Sequence, residues 1–448
     1  MSRQMKNSVI SWIGDIPKTW CECRLKNVGT LYGGLTGKSG DDFNVNEDDT
    51  SFMLYIPFTN IFNNSSINPT QLAKVKIEVG EEQNLVRKGD LLFLMSSEDL
   101  DGVGKPAILE EQINNLGLNS FCKGLNIYNP NTHNKFLFYL MSSHLCRELI
   151  RQEAKGFIRV NLRQDKLSCC PILLPPLSEQ KAIADFLDTK CAEIDQIIVL
   201  QEKMIDKLRA YRQSLISDTV FRGIGKNVNL MNSGQEWLGK IPAHWELRPL
   251  KYVFTQRREK NDPIKSTERL SLSIGAGVTP YAEKTTNLDR FKDDFTQYQL
   301  AYPNDIVLNC MNMIVGAVGR SDYLGCVSPV YYVIYPTHED NPYYYGYLLN
   351  TPAIRSVYHA LGQGIYAIER GDGRVNTCRL KVPYEDFGRI TIPVPPIDEQ
   401  QAIADFLDTK TKDIDQLITI KQKKIEELKE YKKSLIYEYV TGKKEVDG

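Results

Sequence analysis

The sequence lacks the patterns that mark secreted, membrane-spanning and zinc-binding proteins. Its ten cysteines include no Cys-x-x-Cys pair and its five histidines show no metal-ligand spacing. Neither a disulfide framework nor a zinc site is therefore expected. No run approaches the roughly 18 consecutive apolar residues of a membrane-spanning helix, and the first residues contain no signal-peptide core. These absences predict a cytoplasmic protein without a metal or cofactor.

An excess of either charge is also absent. The chain has 55 basic and 56 acidic residues, for a net charge of −1. This balance excludes a polybasic nucleic-acid arm or an acidic tail, but it permits a local positive surface for DNA. With 448 residues, 42% of them hydrophobic, the chain is long enough for about two to four domains and more than one core.

Motifs of DNA-modifying and DNA-cleaving enzymes are missing as well. A flipped adenine is commonly held by an Asn/Asp-Pro-Pro-aromatic motif. The tract Asn341-Pro342-Tyr343-Tyr344 comes nearest but lacks the second proline. The tract from Gly33 to Ser39 imitates a phosphate-binding loop, but Tyr32 stands where that loop needs glycine. No Pro-Asp step of a nuclease signature occurs, so we expect a protein without catalysis of its own.

The chain does contain an internal duplication. Residues 175–190 read PPLSEQKAIADFLDTK and residues 395–410 read PPIDEQQAIADFLDTK, with identity at thirteen of sixteen positions. Residues 12–20, WIGDIPKTW, and 237–245, WLGKIPAHW, pair in the same way and contain all four tryptophans. The segments between these landmarks resemble each other poorly, with brief echoes such as Arg159-Val160-Asn161 and Arg374-Val375-Asn376. Such a long period indicates a duplicated two-part unit rather than a solenoid.

Each conserved segment predicts a long helix. Ser178 and Asp398 are suitable N-caps after Pro-Pro, and no further proline or glycine occurs before Gly223 and Gly442. A seven-residue apolar stripe predicts that the two helices pair as a coiled coil, and chain connectivity favours an antiparallel pair. The stripe consists of Leu187, Ile194, Gln201, Leu208 and Leu215 in the first copy and Leu407, Ile414, Lys421, Leu428 and Leu435 in the second. Two sets of residues supply adjacent rows: Ile197, Met204, Tyr211, Leu417 and Tyr431 form one, and Ile198, Ile205, Ile418 and Ile425 form the other.

The variable segments combine both kinds of secondary structure. The apolar runs at 90–95 and 305–308 predict strands, and residues 136–151 and 353–361 predict helices. The four tryptophans lie at the entries to these segments, close to Pro17 and Pro242. We expect them to pack the variable segments onto the helices rather than to stack on bases.

This organisation resembles the specificity subunit of type I restriction–modification systems. The order W-[IL]-G-x-I-P-x-x-W, variable domain, P-P-[LI]-x-E-Q-x-A-I-A-x-F-L-D and long helix occurs twice and covers the whole chain. The resemblance implies an α+β fold with two globular target-recognition domains, separated by a long antiparallel two-helix coiled coil in a pseudo-two-fold duplication. Each domain would read one half of a bipartite, asymmetric site in double-stranded DNA. The helices would set the gap and dock two methyltransferase (modification) subunits, which restriction subunits join.

The predicted domain boundaries follow the landmarks. Residues 1–174 and 235–394 form the two target-recognition domains, and residues 175–234 and 395–448 form the conserved spacer helices. Basic clusters and glycine-interrupted loops supply the candidates for DNA contacts, because phosphates bind Lys and Arg while base edges also bind Gln and Ser. These candidates are Lys38, Ser39, Lys105, Arg159, Arg163, Arg257, Arg258, Lys260, Gln363, Tyr366, Arg370 and Arg374. Ordinary solvated surface is the alternative for such clusters.

The Pro-Pro-x-x-Glu-Gln corners supply candidates for partner binding, with helix capping as the alternative role. These candidates are Glu179, Gln180, Glu399 and Gln400. Two other functions remain open at this point. A stand-alone DNA methyltransferase or endonuclease without recognisable motifs would turn over substrate by itself. A coiled-coil scaffold would bind no DNA even with its partners present.

Overall fold

The computed structural model describes residues 3–10, 13–45, 51–156, 158–225, 228–275, 277–284, 294–365 and 379–446. It divides into two compact units. The first unit combines Met1–Gln201 with Lys423–Gly448, and the second consists of Glu202–Gln422. We call the part of each unit outside the two long helices its head.

The first head is built on a four-stranded antiparallel sheet. Its strands, in spatial order, are Gly29–Gly33, Cys122–Ile127, Leu91–Leu94 and Pro106–Ile108. A second sheet pairs Leu116–Leu118, Phe52–Ile56 and Ala73–Lys76. Three ribbons join Met5–Asn7 with Asp15–Pro17, Cys21–Arg24 with Pro171–Leu174, and Ser96–Ser97 with Val160–Asn161. The α-helices are Phe58–Asn63, Asn134–Ser142, His144–Glu153 and Gln164–Ser168.

The strand Leu91–Leu94 lies between two hydrophobic clusters, which explains why the sequence there is continuously apolar. Leu91 and Phe93 belong to the larger cluster with Trp20, whereas Leu92 and Leu94 belong to the other. Successive side chains of a strand point to opposite faces, so a strand buried on both sides must be apolar throughout. The strand predicted at 90–95 is thereby confirmed.

The helix predicted at 136–151 is two helices rather than one. The chain turns at Ser143, whose ψ of 146° is extended and whose side chain accepts a hydrogen bond from the backbone N–H of Cys146 at 3.4 Å. Serine competes for backbone hydrogen bonds in this way and favours helix starts over helix interiors. The second head repeats the arrangement, since Thr351 caps the helix Pro352–Leu361.

The second head has the same central sheet as the first. Its strand order is Phe254–Arg257, Tyr331–Pro336, Ile306–Asn309 and Val318–Arg320, all antiparallel. Five ribbons pair Leu230–Asn232 with Lys240–Pro242, Glu246–Pro249 with Thr391–Val394, Leu270–Ser273 with Gly277–Pro280, Gln299–Ala301 with Gly325–Val327, and Gln363–Ile365 with Arg379–Lys381. The α-helices are Leu250–Val253, Pro342–Leu348, Pro352–Leu361 and Tyr384–Arg389. The duplication therefore includes the variable segments, although their sequences have diverged.

The two long helices are Leu177–Arg222 and Ile397–Val440. Each begins directly after Pro-Pro: the backbone N–H groups of Glu179 and Gln180 donate to the carbonyl of Pro176, and the second copy repeats this at Pro396. Ser178 and Asp398 therefore lie in the first turn and are not the N-caps that the sequence suggests. Both helices end before a glycine in the left-handed conformation, Gly223 at φ +74° and Gly442 at φ +71°, as is common at helix C-termini.

Within each unit the two long helices pair in opposite directions. In the first unit Phe186 stacks against Tyr439 and Asp195 binds Lys432 at 2.6 Å. In the second unit Arg212 lies 3.2 Å from Asp415, and the Lys421 Nζ lies 3.3 Å from the Met204 Sδ. In both units residue numbers rise along one helix as they fall along the other, so the antiparallel prediction is confirmed.

Part of the predicted seam is buried and part is not. Leu187, Ile194, Leu407, Ile414 and Leu435 are buried as expected. Of the two predicted adjacent rows, the one with Ile197, Met204, Tyr211, Leu417 and Tyr431 is between 42% and 58% exposed. The other, one residue further along, contains the buried Ile205 and Ile425 and supplies the second row of the interface. The choice between neighbouring rows depends on the partner helix, which the period of a single helix does not specify.

Candidate nucleic-acid interface and partner surfaces

A tryptophan–glutamate pair connects each head to the start of a long helix. The indole Nε1 of Trp20 donates to the Glu179 carboxylate at 3.1 Å, and that of Trp245 donates to Glu399 at 2.9 Å. Both indole rings are almost completely buried. Glu179 also pairs with Arg3, and the other Oε of Glu399 lies 2.6 Å from the imidazole Nε2 of His244.

The tryptophans therefore pack within the protein, as the sequence predicts. Trp20 meets the ring of Phe136 edge-on and Trp237 meets Phe221 in the same way. Trp245 belongs to the hydrophobic cluster of the second unit. Trp12 lies outside the described residues.

The glutamine next to each glutamate is buried and joins the head helix to the long helix. The Gln180 Nε2 donates to the carbonyls of Asn131 and Pro175, while its Oε1 accepts from the backbone N–H of His133, just before the helix Asn134–Ser142. Gln400 makes the corresponding bonds with Asp340, Pro395 and the backbone N–H of Asn341. Internal bonds occupy both glutamines, and their burial leaves little surface for another protein. The partner-binding role of Glu179, Gln180, Glu399 and Gln400 stays a prediction, and these contacts favour the capping alternative.

The first two DNA-binding candidates of the first head are engaged locally. The Lys38 ammonium pairs with Glu81 at 2.5 Å and its side chain is only 6% exposed. Hydrogen bonds from Lys38, from the backbone N–H of Glu78 and from Gln83 hold the pKa of Glu81 at about 2. Ser39 caps a short 3-10 helix, Gly40–Phe43, through contacts with Asp42.

Lys105 lies deeper in the same head. It donates to the carbonyl of Phe62 and its Nζ stands 5.5 Å from the centre of that ring. Burial, and then the neighbouring charge of Arg147, lower the pKa of Lys105. Lys38, Ser39 and Lys105 thus each have a local partner within the protein, and their contact with DNA stays a prediction.

Arg159 is the first-head candidate whose surroundings best suit nucleic acid. It is exposed, and its guanidinium lies 5.3 Å above the ring of Phe121, which is itself 52% exposed. Both side chains line a pocket of about 450 Å³ that also contains Asn119, Ser97 and Asp99. An exposed aromatic ring beside arginine and amide groups can stack on a base and bond to its edge. Phe121 was missed in the sequence because nothing there marks its exposure.

Other arginines near Arg159 are bound to carboxylates. The Arg163 side chain is 77% exposed, but it makes a bidentate salt bridge with Asp165 at 2.9 and 3.0 Å. Arg151 pairs with Asp101 and Glu148. To contact DNA, Arg163 would have to exchange the Asp165 carboxylate for a phosphate.

In the second head, Arg257 makes a largely buried ion pair. Its Nε and Nη2 bind the two oxygens of Asp305 at 2.6 and 3.0 Å, and Asp305 is 2% exposed. Tyr302 and Tyr335 each place a ring 4.5 Å from the guanidinium. The hydrogen bonding of its guanidinium to Asp305 is the largest cause that raises the pKa of Arg257. Arg257 thus links two strands of the sheet, and this placement supports a structural role more than contact with DNA.

The first head has a related link at the same point of the sheet. Asp90 accepts a hydrogen bond from the Tyr32 hydroxyl at 2.6 Å, and burial and Asp90 together raise the pKa of Tyr32. Asp90 and Asp305 each stand just before the third strand of their sheet, and Tyr32 and Arg257 each lie on the first. The internal duplication explains both aspartates without a role in DNA binding.

The remaining second-head candidates are exposed or lie beyond the described ranges. Arg258 and Lys260 are exposed, and Arg258 donates to Gln256 at 2.7 Å. Gln363 is exposed and donates to Asp386 at 3.3 Å. Tyr366, Arg370 and Arg374 lie outside the described residues. Arg258, Lys260 and Gln363 stay predictions for DNA contact.

The hairpin before each Pro-Pro motif shows which residues correspond between the heads. Gly156 and Gly364 share an unusual φ, +147° and +148°. The residues just before these glycines make matching antiparallel β-pairs. Lys155 pairs with Asn161 in the first head, and Gln363 pairs with Lys381 in the second. The backbone thus places residues 379–381 where the first head has 159–161. Residues 374–376, which echo 159–161 in sequence, lie outside the described residues.

Each unit has an apolar patch on one side of its helix pair. In the first unit the patch comprises Ile197, Leu200 and Tyr431, and in the second it comprises Leu417, Ile420 and Tyr211; all six side chains are between 42% and 63% exposed. Members of the two patches correspond at the repeat offset of 220 residues. Ile197 and Tyr431 each precede an interface residue of the antiparallel pair, so they flank the same side of it. Exposed apolar groups clustered in this way mark interaction surfaces.

Membrane-spanning helices and metal sites are two possibilities that the sequence disfavours. No helix in the described ranges is both long and apolar enough to cross a membrane. Among the same residues, no three His, Cys, Asp or Glu side chains are grouped as metal ligands would be.

Comparison with known proteins gives a family assignment. A family model described as the type I restriction modification DNA specificity domain matches this chain twice, at residues 17–203 and 242–430. The two matches together cover most of the chain and coincide with its internal duplication. The chain belongs to the type I restriction–modification DNA specificity family, and the resemblance seen in the sequence is confirmed.

Individual relatives and solved structures agree with this assignment. The chain is 27% identical over 451 residues to a Methanocaldococcus jannaschii protein provisionally named as the type I restriction enzyme MjaX specificity subunit, with 96% of this chain and 95% of that protein covered. It is 27% identical over 211 residues to the type I restriction enzyme EcoKI specificity subunit of Escherichia coli, covering 46% and 44%.

Two solved structures share the fold at low sequence identity. One, from work on complex assembly and conformational transition of the type I R-M system, gives a TM-score of 0.67 at 15% identity and covers 95% of this chain and 99% of its own. The HsdS subunit from Thermoanaerobacter tengcongensis gives a TM-score of 0.53 at 14% identity, covering 95% and 98%. These likenesses confirm the duplicated α+β fold.

Proposed function

We propose that this chain is the DNA-recognition subunit of a type I restriction–modification complex, and that each head reads one half of a bipartite, asymmetric site. The duplication supports this most directly. Two heads share a sheet topology but differ in sequence, while the corners are nearly identical in both copies and the long helices share many residues. Different reading surfaces on a repeated frame suit two different half-sites. The proposed recognition domains are residues 1–174 and 235–394, and the proposed spacer segments are residues 175–234 and 395–448.

In the first head, the proposed DNA-contacting surface is the one formed by Arg159 and Phe121. An exposed ring and a guanidinium without a described carboxylate partner provide stacking and hydrogen bonding to bases. In the second head the corresponding hairpin, Gln363–Ile365 with Arg379–Lys381, and the exposed cations Arg258 and Lys260 are the candidates. Arg257 is left out because Asp305 already binds it.

The exposed apolar patches are the proposed docking surfaces for two copies of a methyltransferase subunit. One patch lies in each unit, and matching positions carry similar side chains: Ile197 with Leu417, Leu200 with Ile420, and Tyr431 with Tyr211. Two equivalent surfaces are what two copies of one partner require. Restriction subunits would join that assembly. Since both long helices contribute residues to both units, we infer that helix length sets the gap between half-sites.

The chain itself is proposed to be non-catalytic and to act in the cytoplasm, where chromosomal DNA is accessible. Its sequence contains no methyltransferase or nuclease motif, and its role would be to position the catalytic partners on DNA. A stand-alone enzyme and a scaffold that binds no DNA are the rival functions.

Co-expression with the neighbouring methyltransferase gene tests the proposal. The modified bases of host DNA are mapped with and without this chain. Methylated adenines in an asymmetric two-part motif, lost when this chain is deleted, are the expected result. Methylation by the purified chain alone would favour the stand-alone enzyme. Soluble partners that produce no such motif would favour the scaffold.

A further inference from the structure

Each unit contains a pocket between its head and its long helices, and the two pockets occupy corresponding places in the duplicated fold. The pocket of the first unit has a volume of about 530 Å³ and that of the second about 480 Å³. On the helix side, Asp188 and Lys432 line the first pocket, and Asp408 and Arg212 line the second. Both pairs are related by the repeat offset of 220 residues.

The head side of the two pockets corresponds as well. The hydroxyl of Tyr139 donates to Asp188, and that of Tyr347 donates to Asp408, both at 2.7 Å. This match is notable because it lies in the variable segments, where little sequence is shared. The same offset of 208 residues relates the tyrosines to one another and Arg147 to Arg355, so the two heads have kept an aligned stretch around the pocket.

An arginine with unused hydrogen-bonding capacity faces each pocket. Arg147 is 8% exposed, and its Nη2 donates to the carbonyl of Asp101 at 2.6 Å, while its Nη1 is buried without an acceptor among the described residues. Arg355 is half-buried; its Nη1 donates to the carbonyl of Val315 at 3.4 Å, while its Nε is buried without an acceptor in the described part of the chain. A buried donor without an acceptor is costly. An acceptor from outside the chain is therefore expected at both places.

A glycine lies against each arginine. A Cβ on Gly104 would lie 2.3 Å from the Cγ2 of Ile150 and 3.3 Å from the Nη1 of Arg147, and a Cβ on Gly316 would lie 2.7 Å from the Nη1 of Arg355. Both glycines have a positive φ, +68° and +98°. The arrangement of arginine, glycine and tyrosine–aspartate pair is thus present in both copies.

The features common to both pockets indicate what binds there. The two heads read different half-sites, so a shared pocket serves something that both halves meet. The first pocket is lined by three aspartates and three cations, with Phe62, Phe138 and Ile436 on its walls, and the second is lined by three arginines and Asp408. The balanced lining of the first pocket does not attract a phosphate backbone, so a phosphate does not fit both pockets. This lining suits a protein segment that carries one carboxylate and apolar side chains.

We propose that each pocket binds an acidic–apolar segment of the methyltransferase subunit, and that its carboxylate pairs with Arg147 in the first unit and with Arg355 in the second. The proposal rests on the proposed function, which requires two copies of that subunit. It adds a second contact for each copy, on the head-facing side of the helices.

The test uses the full chain co-expressed with the methyltransferase encoded beside it. Mass photometry counts the methyltransferase copies per complex, and titration gives each dissociation constant. Arg147→Met and Arg355→Met should each weaken binding of one copy roughly thirtyfold and leave the other copy unchanged. Arg209→Met is the matched control, because Arg209 is an exposed arginine of a long helix that pairs locally with Asp206. It should bind two copies as the unchanged chain does.

A second pair of variants fills the pockets and keeps the arginines. Ser142→Trp and Asn350→Trp place a large ring on corresponding half-buried lining positions. They should reproduce the loss of one copy each, with an unchanged melting temperature. Two copies bound at full affinity in the arginine and tryptophan variants would overturn the proposal. Weakened DNA binding with intact methyltransferase binding would also overturn it, since the occupant would then be a phosphate. If the unchanged chain recruits no methyltransferase, the proposed function itself fails.

Discussion

The indole Nε1 of Trp245 lies 2.9 Å from the Oε2 of Glu399, and Trp20 and Glu179 repeat the contact at 3.1 Å. Each pair joins the last residue of the tryptophan landmark to the first turn of a long helix. The two most similar parts of the repeated sequence are thus in direct contact in both units. The two landmarks keep the same sequence in both copies because they form the same head-to-helix contact in each unit.

Replacement of Glu399 tests this corner. Glu399→Ala leaves the buried indole N–H of Trp245 without an acceptor, and we expect a loss of about 2 kcal/mol in the free energy of unfolding. Glu399→Gln keeps an acceptor and should lose much less. Urea unfolding followed by tryptophan fluorescence measures both. Equal losses in the two variants would show that the hydrogen bond to Trp245 contributes little.

Arg257 and Arg258 are neighbours with opposite expected roles. Arg257→Met leaves the buried carboxylate of Asp305 without its cation, at an expected cost of about 3 kcal/mol in folding free energy. Arg258→Met removes an exposed side chain and should change stability by less than about 0.5 kcal/mol. Thermal unfolding compares the two variants. If Arg257→Met melts normally and loses DNA affinity instead, its assignment as a DNA contact is correct.

The surface around Arg159 should determine recognition by the first head. Arg159→Ala and Phe121→Ala are each expected to weaken binding of the cognate duplex about tenfold, since they remove a hydrogen-bonding cation and a stacking ring. Arg24→Ala, another exposed arginine of that head, serves as the control. Fluorescence anisotropy with base changes in either half-site gives the measurement. Equal weakening by Arg24→Ala would mean that general charge, not this site, binds the DNA.

The apolar patches can be tested one unit at a time. Leu417→Asp should weaken binding of one methyltransferase copy roughly thirtyfold, because a charge must then be buried in the interface. Ile197→Asp should affect the other copy to the same extent. Val199→Asp changes an exposed apolar residue outside the patch and should preserve both copies. Two bound copies in all three variants would exclude the patches as docking surfaces.

Shortening both long helices by one heptad should change the gap between half-sites and leave the half-sites themselves intact. Removal of residues 201–207 and 421–427 keeps the seam in phase and shortens each helix by about 10 Å, the length of about three base pairs. Mapping of methylated adenines in host DNA reads the outcome. A changed half-site, or an unchanged gap, would contradict the inferred role of helix length.

The helices and the duplication could be predicted because their signals are local or exactly repeated in the chain. The roles of Glu179 and Arg257 could not, because each depends on a distant partner. Trp20 is 159 residues from Glu179, and Asp305 is 48 residues from Arg257. A glutamate after Pro-Pro looks like a cap or a docking residue, and an arginine in a basic run looks like a DNA contact. The contact partner determines the role of each residue, and only the folded structure shows which residue that partner is.

The exposure of individual helix residues was also beyond prediction from the sequence. Ile197 and Ile205 lie on nearby rows of the same helix and are both apolar, yet one is 42% exposed and the other 5%. The heptad period alone fits either row. Packing against the antiparallel partner selects Ile205 for the core, which leaves Ile197 on the surface.

The discontinuous make-up of the first unit affects the order in which the protein can fold. The second unit is one continuous stretch, Glu202–Gln422, whereas the first also needs residues from Lys423 onward. Its hydrophobic cluster includes Leu435 and Val440 beside Trp20 and Leu187. During synthesis, the hydrophobic cluster of the first unit therefore stays incomplete until the second long helix has been made. A chain that stops within the second head would lack Leu435 and Val440 and, with them, part of the core against which the first head packs.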